Sequence, residues 1–214
     1  FRLLEIHEDI ILQCAAGMAD KIYATLSKYA VFSKVELELL SSKSTSTPVA
    51  FGILSDSVDA ALSTLQLKLP GSYGEVSQSP DCSVIRLPGP AKRVEIWFHH
   101  LAAKSAFLNS SDLSISCELQ AWHRAEIETG IIHVTPQLSE EYTPQLLNYD
   151  ISGLIDFKKG CYTGQEIVAR MFYRGTAKKR LYLACSNYPI SESSRVVADS
   201  SDDSTKTKSS GSAI

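Results

Sequence analysis

The sequence predicts an α+β protein. Two observations carry that reading. Strands and amphipathic helices follow one another along residues 1–112 in the order of strand pairs separated by helices. The apolar residues also switch between a spacing of two and a spacing of three or four.

Taken in order, Arg2–Ile6 and residues 10–14 read as strands joined by a His7-Glu8-Asp9 turn. Residues 16–30 place Ala19, Ile22, Tyr23, Leu26 and Tyr29 at helical spacing. Residues 31–40 end in alternation, with Val35, Leu37 and Leu39 against Lys34, Glu36 and Glu38, and read as a strand. Residues 41–47 are a polar loop, and Val49–Leu54 is a short apolar strand. Residues 57–67 form a second helix through Val58, Ala61, Leu62 and Leu65. Residues 83–87 and Arg93–Phe98 form a hairpin around Pro88-Gly89-Pro90, and residues 101–108 a third helix. This order suits a two-layer sandwich of the ferredoxin-like kind over residues 1–112.

Residues 113–130 read as a helix closed by Gly130 at C′. Ile115, Leu119 and Trp122 form one stripe of it, which on periodicity alone is a core face. Residues 131–148 are irregular and hold Pro136 and Pro144. The tail, residues 191–214, is rich in Ser, Asp, Lys and Thr and has no aromatic residue. It has too little apolar surface to offset its ordering entropy and reads as disordered. The organisation expected is therefore 1–112, 113–190 and 191–214.

Composition narrows the function. The 214 residues are 44% hydrophobic and 21% charged, which fits a globular chain. Lys plus Arg is 21 and Asp plus Glu is 24, a net charge of −3. That excludes binding of nucleic acid through bulk charge and leaves a local basic patch open. No apolar run approaches the roughly 20 residues of a membrane span. The chain opens FRLLEIHEDI, with no signal-peptide pattern, so it reads as soluble and as a piece of a longer protein. Its five cysteines, Cys14, Cys82, Cys117, Cys161 and Cys185, are odd in number, widely spaced and without a C-x-x-C pair. This points to reduced thiols in the cytoplasm and to neither a disulfide scaffold nor a zinc site. His99-His100 has no ligand-spaced partner and reads as a loop pair.

The densest chemistry lies between Asp156 and Glu166. Thr163-Gly164-Gln165-Glu166 has the form of a capping box, with Thr163 as N-cap of a helix that continues through Ile167, Val168 and Met171. Cys161 then stands two residues before the cap, behind Lys158 and Lys159. The positive helix end and the lysines favour a thiolate there. The alternative is a small buried cysteine beside an ordinary helix start. Lys158, Lys159, Arg170, Arg174, Lys178, Lys179 and Arg180 face only Glu166 between residues 158 and 180. The run is either a solvated face or a site for an anion such as a carboxylate tail or RNA phosphate.

The segment Lys159-Gly160-Cys161-Tyr162-Thr163-Gly164-Gln165-Glu166, with Arg170 and Arg174-Gly175 behind it, resembles the signature of the YgfZ family of folate-binding proteins. These in turn resemble the aminomethyltransferase of the glycine cleavage system. The resemblance extends to Lys28-Tyr-Ala-Val-Phe-Ser-Lys-Val35, to Thr143-Pro-Gln-Leu-Leu-Asn148 with Gly153 and Phe157, and to Trp122 followed by Ile127-Glu128-x-Gly130.

It implies a cytoplasmic tetrahydrofolate-binding protein linked to tRNA modification and to maintenance of iron–sulfur enzymes. It also implies a ferredoxin-like middle domain, part of an aminomethyltransferase-like folate-binding domain and a C-terminal barrel. The barrel is expected to begin at Leu181-Tyr-Leu-Ala-Cys185 and to be cut short by the tail. Cys161 would be the functional thiol, and Trp122 and Glu128 the folate contacts. Lacking the family's N-terminal segment and most of the barrel, the chain reads as a truncated member. Rival readings are a folate-dependent aminomethyltransferase and an RNA-binding module without folate, in which Tyr162, Phe172 and Tyr173 would stack on bases.

Overall fold

The computed structural model describes residues 1–40, 47–89, 91–110, 119–175, 179–191, 194–197 and 209–212. Cys117 and Lys178 lie outside them. The chain forms two compact units, Phe1–Leu181 and Tyr182–Ile214.

The architecture of the first unit is α+β. Strands β1 (Arg2–Ile6) and β2 (Asp9–Gln13) form an antiparallel hairpin. Its tight turn puts His7 in the left-handed region at φ 56°. Helix α1 (Ala19–Ala30) follows. Strand β3 (Val49–Leu54), helix α2 (Val58–Thr64), strands β4 (Val76–Gln78), β5 (Cys82–Leu87) and β6 (Arg93–Phe98), and helix α3 (Leu101–Ser110) then build the centre. The four strands form one antiparallel sheet in the order β3-β6-β5-β4. Two more helices, α4 (Leu119–Glu128) and α5 (Gln165–Arg174), complete the unit.

The sheet buries both faces, and the period of two assigns each residue to one of them. Cys82, Val84, Val94, Ile96 and Phe98 meet Val58, Ala61 and Leu62 of α2 and Phe107 of α3. Each large aliphatic or aromatic side chain fully buried there contributes about 1.5–3 kcal/mol. On the other face Ile85, Leu87 and Trp97 meet Leu4 and Ile6 of β1, with Ile11 and Trp122 at the margin. The hairpin and α4 thus add a third layer to the two expected.

Other departures have physical causes. Residues 31–40 form no strand. Leu37 and Leu39 instead line a cavity of about 400 Å³ together with Ile10, Leu12, Ile22 and Leu26. Strand β4 is only three residues long and carries too little pattern to be read from sequence. Residues 41–46 of the polar loop, and 111–118 of the long helix expected over 113–130, lie outside the described residues.

Helix α4 does end as expected. Gly130 is at φ 70°, its N–H donates to the Ile127 carbonyl at 3.0 Å, and the Ile131 N–H donates to the Glu126 carbonyl at 2.9 Å. This is the paired bonding of a Schellman motif.

Residues 181–185 are not a strand, so the expected first barrel strand is not formed. Tyr182 and Leu183 are exposed, and the segment has no ladder partner among the described residues. Within the tail read as disordered, β7 (Arg195–Val197) pairs antiparallel with β8 (Ser209–Ser212). Among the described residues no helix is long and apolar enough to cross a membrane.

Candidate functional site

The segment leading to α5 is built on a different cap from the one its sequence suggests. Gly164, at φ 88°, is the N-cap, and Thr163 is not. Glycine reaches that left-handed conformation without a Cβ penalty. Gln165 does the capping work one register along. Its Oε1 accepts from the Tyr162 N–H at 3.1 Å, and its own N–H donates to the Tyr162 carbonyl at 3.2 Å. The expected Thr163–Glu166 box is therefore replaced by a Tyr162–Gln165 pair, and Cys161 stands three residues before the cap. Its thiol is exposed, not buried.

The surroundings of Cys161 are aromatic and cationic. Lys159 Nζ lies 4.3 Å from the centroid of the Tyr162 ring. Phe157 stacks on Phe172 at 3.7 Å between centroids, and Phe172 meets Tyr173 edge-on at 5.0 Å. Phe172 and Tyr173 are nonetheless exposed, while Val168 is the side chain of α5 that is buried. The Gln145 amide fixes the helix by donating to the Val168 carbonyl at 2.7 Å. Gly160 and Glu166 are exposed.

The hydroxyl of Thr163 lies 3.5 Å from that of Tyr29 on α1. Two of the segments that carry the resemblance, 28–35 and 159–166, therefore meet on one surface. Tyr29 and Phe32 are exposed on it, Phe32 almost entirely.

The basic run separates into two groups. Arg180 is structural: its guanidinium forms a bidentate pair with Asp150 at 2.6 and 2.9 Å and donates to the Gln145 carbonyl at 3.2 Å. The Arg180 hydrogen bond, against a smaller opposing effect of burial, holds the Asp150 carboxyl below its ordinary range. Lys158, Lys159, Arg170, Arg174 and Lys179 are exposed, and none has an ion-pair partner among the described residues.

Trp122 and Glu128 share α4 but do different things. Trp122 lies against β3 over Gly52, and the Arg93 guanidinium sits over its ring at 4.8 Å from the centroid. Glu128 faces outward and pairs with Arg124 one turn back at 2.7 Å.

A buried polar network beside Trp122 was not foreseen. Arg2 of β1 bonds Glu95 of β6 and reaches Glu126 of α4 at 3.4 Å. The Trp97 indole N–H donates to Glu95 at 3.2 Å, and His133 bonds Glu126 at 3.1 Å. Burial alone would raise the Glu126 carboxyl. The His133 hydrogen bond and the charges of His133, Arg2 and Arg93 outweigh it and hold the group below its ordinary range. The only sequence signal was two charged residues, Arg93 and Glu95, alternating into an otherwise apolar strand.

His99 and His100 are loop residues as expected. His99 bonds Ser83 at 2.9 Å and the Pro80 carbonyl at 2.8 Å. His100 Nδ1 accepts from the Ala103 N–H at 3.1 Å and so caps α3. Among the described residues no three His, Cys, Asp or Glu side chains gather as a metal-binding group.

No protein-family model matches the chain. Curated relatives do. It is 35% identical over 164 residues to the tRNA-modifying protein YgfZ of Hamiltonella defensa, covering 73% of this chain and 46% of that protein. It is 30% identical over 171 residues to the YgfZ protein of Yersinia pestis, covering 80% and 50%. It is 31% identical over 166 residues to that of Yersinia enterocolitica, covering 78% and 49%. Over most of its length this chain is a YgfZ homologue, and it spans about half the length of the curated relatives it matches.

Proposed function

We propose that this chain takes part in tRNA modification, and that the surface joining α1 to the Cys161 segment is where tRNA docks. The observation that carries this is the meeting of Tyr29 and Thr163, which sets exposed aromatic rings beside unpaired cations. A single-stranded or loop nucleotide is held by such a surface through stacking and phosphate contacts. Tyr29, Phe32, Phe172 and Tyr173 supply the rings, and Lys158, Lys159, Arg170 and Arg174 the charge. Cys161, exposed in the middle of the segment, is the thiol on which function depends.

In the same reading the chain binds tetrahydrofolate through the Trp122–Glu128 face of α4 and supports iron–sulfur enzymes. Residues β3–α2–β5–β6–α3 serve as its ferredoxin-like domain. The support for folate is the resemblance around Trp122 and Glu128. The Trp122 ring packs over Gly52 and carries the Arg93 guanidinium at 4.8 Å from its centroid, so a bound pterin would meet the part of the ring these two leave uncovered.

The test is tRNA binding by fluorescence anisotropy across a salt series. The double variant Arg170→Glu, Arg174→Glu is expected to weaken binding and flatten its salt dependence. Unchanged affinity and slope would make the run a solvated face. In a cell lacking the native protein, Cys161→Ser is expected to fold and fail to complement. Full complementation would make the segment a structural turn.

A further inference from the structure

Helix α1 is amphipathic in sequence and unburied in structure. Its stripe through Ala19, Ile22, Tyr23 and Leu26 is spaced as a core face would be, yet no residue of the helix is buried. A cavity of about 400 Å³, lined by that stripe, by β2 and by residues 36–40, takes the place of a packed contact. Ile11 packs toward Trp97 and the central sheet, so the period of two turns its neighbours Ile10 and Leu12 to the cavity side.

The wall is apolar and open. Ile10 is 71% exposed, and Leu26, Leu39 and Leu40 are 42–45% exposed. Large aliphatic side chains left this way lose the burial that their spacing was suited to, and a volume of this size takes a small molecule.

The charge of the wall has one sign. Asp9, Glu36 and Glu38 line the cavity, and among the described residues no Lys, Arg or His does. None of the three carboxylates has an ion-pair partner among the described residues. All three are exposed, which sets them at the rim of an Ile and Leu floor. An anion entering there meets only repulsion, whereas a cation is attracted and an apolar body is desolvated below it.

We propose that this cavity binds a small molecule made of an apolar body and a protonated amine. The body lies against Ile10, Leu12, Ile22 and Leu26, and the ammonium stands in the field of Asp9, Glu36 and Glu38. Cys14, half-buried in the same wall, reports occupancy.

The experiment compares octylamine, octanol and octanoate, which share one apolar body and differ in head charge. Each is titrated into the ¹⁵N-labelled chain at fixed ionic strength and followed by amide shifts. Saturable shifts confined to Asp9–Gln13, Ala19–Ala30 and residues 36–40 are expected, with octylamine about threefold to tenfold tighter than octanol and octanoate weakest. Glu36→Gln with Glu38→Gln, on exposed side chains, should shrink the advantage of the amine over the alcohol and leave the alcohol as it was. Leu26→Gln should weaken both by about threefold or more. Octylamine should also slow maleimide labelling of Cys14 and leave Cys161 and Cys185 unchanged. No saturable shift, octanoate binding as tightly as octylamine, or shifts that arise only as the chain self-associates through α1 would overturn the proposal.

Discussion

The ring of Trp122 occupies the space that a side chain at Gly52 would need. An ideal Cβ on Gly52 would come within 2.6 Å of Trp122 Cζ3 and 2.9 Å of Cε3 and Cη2. Helix α4 therefore approaches β3 at a distance that only glycine permits.

Gly52→Ala is accordingly expected to destabilise the chain by about 1–3 kcal/mol, as overpacking does. Trp122→Leu should recover part of that loss. The two changes should be strongly non-additive in urea unfolding, because they meet at one contact. Additive effects would mean that the ring and the strand do not touch.

Glu126 gives a pH dependence with a definite sign. Its carboxyl is held below the ordinary range in the folded chain, so the folded state binds its proton less readily than the unfolded one. The stability it contributes is present above the ordinary glutamate value of about 4.3 and is lost as pH falls through the lower folded value. Glu126→Gln should cost about 1–3 kcal/mol near neutral pH, since it unpairs Arg2 and His133. It should also make the acid limb of a stability–pH curve shallower. An acid limb identical to wild type would exclude this carboxylate as its source.

Thiol reactivity should divide the cysteines by access. Cys161 and Cys185 are exposed, Cys14 is half-buried, and Cys82 is fully buried with burial pushing its thiol up. A maleimide under native conditions should label Cys161 and Cys185 before Cys14, and Cys82 only on unfolding. Peptide mass mapping over a labelling time course reads this order, and early modification of Cys82 would contradict the packing of β5.

The basic run should respond in two ways. Arg180→Ala removes both bonds to Asp150 and should lower stability by about 1–3 kcal/mol. Arg174→Ala, on an exposed side chain, should stay within about 0.5 kcal/mol. Thermal unfolding of the two variants separates the structural cation from the solvated one.

These cases show what local pattern conveys. Strands β3, β5 and β6 were readable because each runs apolar between turn residues, and Gly130 because a terminal glycine has one common use. The Arg2–Glu95–Glu126–His133 network was not, since its members lie far apart in sequence and no local spacing says which charges will be buried. The Thr163 box failed for a narrower reason. Its residue types were right, but Gly164 took the left-handed turn first and moved the cap by one residue. The strand expected at residues 181–185 had its apolar content and lacked a neighbour to pair with among the described residues.

Helix α1 has no buried residue, whereas every residue of β6 is buried. The two will therefore exchange backbone deuterium on very different schedules. Amides in β6 open only when the whole unit opens, so their protection reports global stability. Those of α1 are released by local fraying that leaves the sheet intact. A helix so lightly tied gains order from whatever settles against it, and slowed exchange along Ala19–Ala30 would register that event without any change in the core.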